Sequence, residues 1–416
     1  MKKLLNKLFH YSKEDSLIRD SAIFFFASLS LSIAGLLFHF FMGRFLGPEN
    51  YGILGTIFSM FYITLVIVFV IQTTITHFVA SYHTKNEEDK INVLLRDSLK
   101  RVLVISIVIS IILLIASPFI SRFLSIPLKY ILLMIPLLIF SFLLPVNRGI
   151  MQGLEWFKKL GINMTIEGIV KLLFGVILVY FGLQVSGAIM ALILSYVIPF
   201  FLSFIIIKKY LPKKFIEIDN KSIYNYTLPV TLALFLFTGF YTVDVLLVKH
   251  FFSETQAGLY VALSFMGKII FFGTQSISLV MFPKSVANAS LNKISTKIAN
   301  KAMILVGILG GAGVITYLIL PKLAILILYG KQYLPVSNVL GVYGLVMLLF
   351  SLSYVLMFYN LSLKRFSFNY ILAAFLIIES IILYFYHINI TQIVLTLLTL
   401  AVMLYASLLV YTYTRN

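Results

Sequence analysis

Five ionisable side chains lie inside long hydrophobic runs, where an apolar chain has most reason to exclude them: Glu167, Lys171, Asp244, Lys268 and Glu379. A charge at the centre of a bilayer costs at least ~2.5–3.5 kcal/mol on insertion scales, so such a group faces a cavity or a partner. Lysines act as compact point charges, and Lys171 and Lys268 therefore suit an anionic substrate such as a phosphate. The carboxylates suit coupling to H+ or Na+, with Asp244 either pairing with Lys268 or taking up a proton. Glu167 and Lys171 are four residues apart, the spacing of neighbours on one helical face, which predicts an ion pair between them. Glu379 lies at similar depth among apolar neighbours, with no polar stripe around it.

The elements that must position these groups follow from composition. Hydrophobic residues make up 61% of the chain and charged residues 12%, about half the ~25% typical of soluble proteins. With a mean hydropathy of +1.02, the chain has too little polar surface to coat a globule in water, and it reads as an all-α integral membrane protein. Runs of roughly 20 apolar residues can span a bilayer as helices. Twelve are read here, near residues 21–43, 51–77, 102–121, 130–147, 164–183, 186–207, 224–248, 257–282, 302–320, 336–361, 366–387 and 391–413. The gaps between them are too short for a folded catalytic module. The expected division is a basic amphipathic N-terminus over 1–20, an N-lobe over 21–210, a linker over 211–223 and a C-lobe over 224–416. The first run after Met1–Asp20 is full length with no small-residue cleavage site, which predicts an uncleaved start.

The formal net charge of +18 would suit nucleic acid, but its distribution points elsewhere. Of the 33 Lys and Arg, 25 fall at the N-terminus, C-terminus and one alternate set of loops, 6 on the other set, and Lys171 and Lys268 within runs. By the positive-inside rule both termini are cytoplasmic. Basic loops at an anionic leaflet account for the excess without nucleic acid. There is no cysteine, which excludes disulfides, thiolate metal sites and cysteine nucleophiles. No Walker loop or HExxH spacing is present, and His83 near Glu87, Glu88 and Asp89 is a solvated loop cluster. No cofactor, metal site or catalytic residue is expected.

The chain also repeats itself. Gly43–Gly55 is a short polar turn containing Gly47-Pro48 between two apolar runs, and a weaker copy recurs 206 residues later over 249–260. Gly258 falls on Gly52, Glu254 on Pro48 and His250 on Arg44. Gly52 and Gly258 fit a tight turn into a helix, while Pro48 fixes φ. Amphipathic segments follow at Tyr82–Arg101 and Lys284–Lys301, each predicting a helix on the inner membrane surface. Prolines at Pro118 and Pro321 make a third match, and three matches in register predict a parallel six-plus-six repeat. Ser21, Ser28, Ser32, Gly35 and His39 share one face of the first run, a stripe that suits close helix packing or the lining of a watery cavity, and Gly168, Gly175 and Gly182 recur every seven residues, a pattern of close helix contact. Thr227, Thr231, Thr238, Tyr241 and Thr242 line one side of the seventh run with Asp244 near its edge, and Ser264, Lys268, Gln275 and Ser278 one side of the eighth.

Three passages resemble the polysaccharide-biosynthesis (Wzx-type) flippases of the multidrug/oligosaccharidyl-lipid/polysaccharide (MOP) exporter superfamily. Arg44-Phe45-Leu46-Gly47-Pro48-Glu49-Asn50-Tyr51-Gly52 is similar to the family's LGPxxYG turn. Val243–Val248 with Ala257–Tyr260 resembles its second-half counterpart, and Arg148–Gly153 the segment after the fourth helix. The resemblance implies two six-helix lobes in a V-shaped, MATE-like arrangement working by alternating access. It implies a polyprenyl-diphosphate-linked glycan as cargo, with cationic contacts from Lys171 and Lys268 and from Arg44 and Arg148 at the ends. Implied partners are membrane lipid, H+ or Na+, and a glycan polymerase and glycosyltransferases of the same pathway, at the cell membrane. This chain departs in keeping three acidic groups, Glu167, Asp244 and Glu379, at depth. A cation-coupled multidrug antiporter of the same fold is the nearest alternative. A lipid II-type flippase is a further one, although those usually have fourteen spans. An intramembrane transferase would need clustered acid/base residues that the sequence lacks.

Overall fold

The computed structural model describes residues 14–208, 221–290 and 296–414, and among these the chain is helical with no strand. Most of the N-terminal segment 1–20, most of the linker 211–223 and part of the segment 284–301 lie outside the described residues. The helices are α1 (Glu14–Thr84), α2 (Glu88–Leu124), α3 (Leu128–Leu132), α4 (Met134–Gly153), α5 (Phe157–Leu178) and α6 (Gln184–Ile207). They continue with α7 (Lys221–Phe240), α8 (Val243–Phe251), α9 (Glu254–Ser290), α10 (Lys297–Ile319), α11 (Pro321–Leu328), α12 (Ser337–Ser362), α13 (Phe368–Phe385) and α14 (Ile390–Thr414).

Among the described residues ten helical segments are long and apolar enough to cross a membrane, against the twelve apolar runs of the sequence. Two of the ten each carry two runs. Phe26–Thr84 holds 59 residues and Phe157–Ile207 holds 51, more than twice the roughly 20 that one crossing needs. Each has a break. In α1 it is Gly47, at φ 70 and ψ 171, a region essentially restricted to glycine. Pro48 follows, where a missing N–H costs nothing because the first turn of a helix has no acceptor for it. The tight turn is therefore made by Gly47, not by Gly52, which is already inside the second arm. The other break is Gly182, at φ 88 within the wide turn Val179–Leu183.

The chain forms two compact units. The first comprises Met1–Met42, Ile67–Phe119 and Pro127–Ile223. In it α5 packs on the first arm of α1 through glycines seven apart. A Cβ on Gly161, Gly168 or Gly175 would press on Ile23 and Ala27, on Ala34, or on Phe38 respectively. The series is thus 161, 168, 175. Gly182 has nothing within 4 Å and serves the break instead. On another side Gly149 and Gly153 bring α4 against Ile75 and Val79 of α1's second arm, a small-xxx-small contact. Between these helices lies an apolar core that includes Ile91, Leu95, Leu144, Ile150 and Leu160. Ile91 and Leu95 come from the segment expected as a surface helix. Instead α1 ends at Thr84, the backbone turns at Asn86 (φ 56), and α2 runs unbroken from Glu88. Within that segment Ile91, Leu94 and Leu95 are taken up by the unit's own core instead of facing the membrane surface.

The second unit comprises Gly43–Val66, Ile120–Ile126 and Tyr224–Asn416. Its centre is the seam of α9 with α12, where Gly267 lies against Tyr343 and Met347. Phe237 and Phe271 stack beside it, and Phe350 and Tyr354 meet them edge to face. Hydrogen-bonded turns at Tyr241 and Thr242 separate α7 from α8. That interruption places Asp244 in the first turn of α8, where the helix dipole favours a carboxylate.

Candidate functional site

Each unit buries a polar cluster that includes ionisable residues singled out by the sequence. In the first, Arg148 projects from α4, and its Nη1 lies 2.7 Å from Glu167 Oε2. Its Nε donates to Asn163 Oδ1 at 2.8 Å, and Asn163 Nδ2 donates to the Pro199 carbonyl at 2.8 Å. Arg148, Asn163 and Glu167 are 8%, 4% and 6% exposed. This corrects the expected Glu167–Lys171 pair. The planar guanidinium can engage Asn163 and Glu167 together, one helical turn apart on α5, where a lysine offers only a point charge. Lys171 is left without an ion-pair partner among the described residues. Its ammonium rests over α1 at Gly35, 3.4 Å from where a Cβ would stand.

In the second unit Asp244 is fully buried. Its Oδ2 accepts 2.8 Å hydrogen bonds from the hydroxyls of Tyr260 and Tyr343. The Tyr343 hydroxyl also lies 3.1 Å from Ser264 Oγ. Asp244 Oδ1 has no hydrogen-bond partner, and neither has Oε1 of the buried Glu379, on which the Asp244 charge acts. Lys268 is 3% exposed, and its Nζ is 5.5 Å from the ring centre of Tyr62 and 5.8 Å from that of Tyr241. A cation held between two aromatic faces is stabilised by their quadrupoles. Lys268 and Asp244 form no salt bridge; both tyrosine hydroxyls are on Oδ2, and Oδ1 stays open. The sequence reading missed Tyr62 and Tyr343. Tyr260 stood in the copied turn, and the position of Tyr241 beside Thr238 and Thr242 was the available signal.

The structure separates Arg44 from these clusters. Its Nη2 donates to the carbonyls of Leu326 and Ile327, at 3.2 and 2.7 Å, at the C-terminal end of α11. Around it the two turns of the repeat meet. Thr255 Oγ1 donates to Glu49 Oε1 at 3.0 Å. A Cβ on Gly52 would lie 2.9 Å from the Gly258 backbone, and one on Gly55 would overlap Val261. All three pairs are 206 apart, the offset of the repeat. Residues meeting their own counterparts is the pattern produced along a two-fold axis. Away from the axis the contacts are reciprocal. Arg44 caps the end of α11, while its counterpart His250 hydrogen-bonds the Phe123 carbonyl at the end of α2 and stacks on the Phe123 ring.

This fold is that of a class of membrane transporters. The chain resembles a multidrug resistance MATE family transporter of the MOP superfamily in its inward-facing conformation, with a TM-score of 0.74 at 14% identity over 92% of this chain and 95% of that one. Against an outward-facing structure of such a transporter the TM-score is 0.70 at 15% identity, covering 96% and 95%. A MOP superfamily transporter from Pyrococcus furiosus, described as having a binding pocket of reversed polarity, gives 0.61 at 13% identity over 96% and 95%. An uncharacterized membrane protein of Methanocaldococcus jannaschii is 24% identical over 289 residues, 65% of this chain and 68% of the other. The model of the polysaccharide biosynthesis protein family matches residues 17–287. The chain belongs to that family.

Proposed function

We propose that the protein is a flippase that moves a polyprenyl-diphosphate-linked oligosaccharide across the cell membrane for surface polysaccharide assembly. One observation carries this reading: Lys268, buried in the second unit, and Lys171, half-buried in the first, have no carboxylate within ion-pair distance among the described residues. An unpaired cation at membrane depth is costly unless an anion visits it, and a diphosphate is such an anion. The proposed cycle is alternating access between a lobe over 21–210 and one over 224–416, joined at 211–223, with α1 and α5–α6 each crossing twice to give twelve spans. Both termini are cytoplasmic by the charge distribution. A glycan polymerase and glycosyltransferases of the same pathway are the protein partners this reading requires.

Coupling falls to the acids. Asp244 and Glu379 each present an unpartnered buried oxygen, a place for H+ or Na+. A coupling cation that took Glu167 from Arg148 would free that guanidinium for anionic cargo. The same two carboxylates support a second reading, a cation-coupled multidrug antiporter. Purified protein in proteoliposomes with fluorescent lipid-linked oligosaccharide separates the two. Translocation is expected, and its absence with drug efflux intact would overturn the flippase reading. Lys268→Ala should slow translocation roughly tenfold or more, the loss of one charge-assisted contact. The exposed Lys301→Ala should leave it unchanged, and equal effects would remove Lys268 from the site.

A further inference from the structure

Beside the paired turns is a cavity of about 530 Å³ lined by Arg44, Leu326, Tyr329, Gly330, Lys331 and Gln332. It has two cations and no acid. Lys331 is exposed and has no ion-pair partner among the described residues. Gln332 reaches back toward the Gly47 break, its Oε1 being 3.9 Å from where a Cβ would stand. Arg44 holds neutral main-chain carbonyls, and a phosphate oxygen is a stronger, charge-assisted acceptor that a guanidinium can grip with two N–H groups. An anion entering this cavity therefore competes for Arg44 with the end of α11.

We propose that Arg44, Lys331 and Gln332 form a site for a phosphate-bearing group, and that filling it draws Arg44 off α11 and loosens the contact between the two turns. Arg44 takes part in both arrangements, so anion capture and turn separation share one free energy. Each favours the other by the same factor. By the charge distribution this end faces outward, which makes the site the last to touch a cargo phosphate before release. The outward role rests on the flippase reading; the anion site and its linkage to the turns do not.

Inorganic pyrophosphate, titrated calorimetrically into the purified full chain, tests the site. Saturable binding is expected, weakened about tenfold by Lys331→Gln and by Arg44→Gln and unchanged by Lys322→Gln. No saturable binding, or equal binding by Lys331→Gln, would overturn the site. Lys331 is exposed, so its variant keeps the question open should Arg44→Gln fail to fold. The linkage is read in a Glu49→Cys/Thr255→Cys double variant of this cysteine-free chain, joined by a short thiol cross-linker. Pyrophosphate should slow cross-linking several-fold, and adding Lys331→Gln should abolish that slowing. An unchanged rate at saturating pyrophosphate would overturn the linkage. Nanodiscs containing polyprenyl diphosphate or phosphatidylglycerol then tell a carrier-lipid head from a bilayer phosphate. Neither measurement moves cargo, so failure of the transport assay leaves both results standing.

Discussion

Arg148 and Glu167 lie 19 positions apart in sequence and 2.7 Å apart in space, and their pairing changes what Lys171 is for. Removing one member of a buried pair leaves an uncompensated charge and costs about 3–5 kcal/mol. Arg148→Ala should therefore lower the thermal stability of the purified protein far more than Lys171→Ala. If Lys171 were the partner of Glu167, the two would weaken it alike. At Asp244 the two tyrosine hydroxyls make the test finer. Tyr343→Phe removes one hydrogen bond to a charged group, worth about 1.5–3 kcal/mol, and should impair any cation-dependent step before it impairs folding. Measuring cation dependence of transport alongside melting separates the two. Of this chemistry the sequence showed which ionisable residues lay at depth. It could not show the partners, because i to i+4 spacing reports only neighbours on one helix. The competitor for Glu167 came from α4, and the partners of Asp244 from α9 and α12.

At the scale of helices the glycines divide into those that touch and those that do not. Gly307 and Gly311, inside α10, have nothing within 4 Å of a Cβ, and alanine there should be neutral or stabilise by up to ~1 kcal/mol. Gly258→Ala would drive a methyl into the Pro48 carbonyl and should sharply lower the melting temperature. Gly47→Ala should cost about 1–3 kcal/mol through its backbone alone. Melting curves of the four variants would check the division, and indistinguishable curves would defeat it. The apolar runs made most helices legible, since hydrophobic length is what a bilayer selects. Their breaks were less so. The sevenfold glycine series was visible as 168, 175, 182 and is in fact shifted by one member. Gly161 hid in a polar stretch, and Gly182 kept the spacing by coincidence while doing another job. The Tyr82–Arg101 segment misled for a similar reason. An amphipathic helix looks the same whether its apolar face meets lipid or, like Ile91 and Leu95, a neighbouring helix.

For the molecule as a whole, the 206-residue echo was the most informative pattern in the sequence, and it proved to be a distance as well as a resemblance. It was legible because both copies need a glycine where the two backbones approach closely, at Gly52 and Gly258. The contact itself was not legible, since no periodicity says that a residue will meet its own copy. Most positions in a duplicated chain are free to diverge, because what happens in one half need not be matched in the other. Glu49 with Thr255, Gly52 with Gly258 and Gly55 with Val261 have no such freedom. Each is the other's environment, so a change at one is at once a change in what its twin must fit. At this seam the two halves have to evolve as a pair of interlocking parts. The bulk of Val261 can stand only while the facing position is a glycine, as Gly55 is.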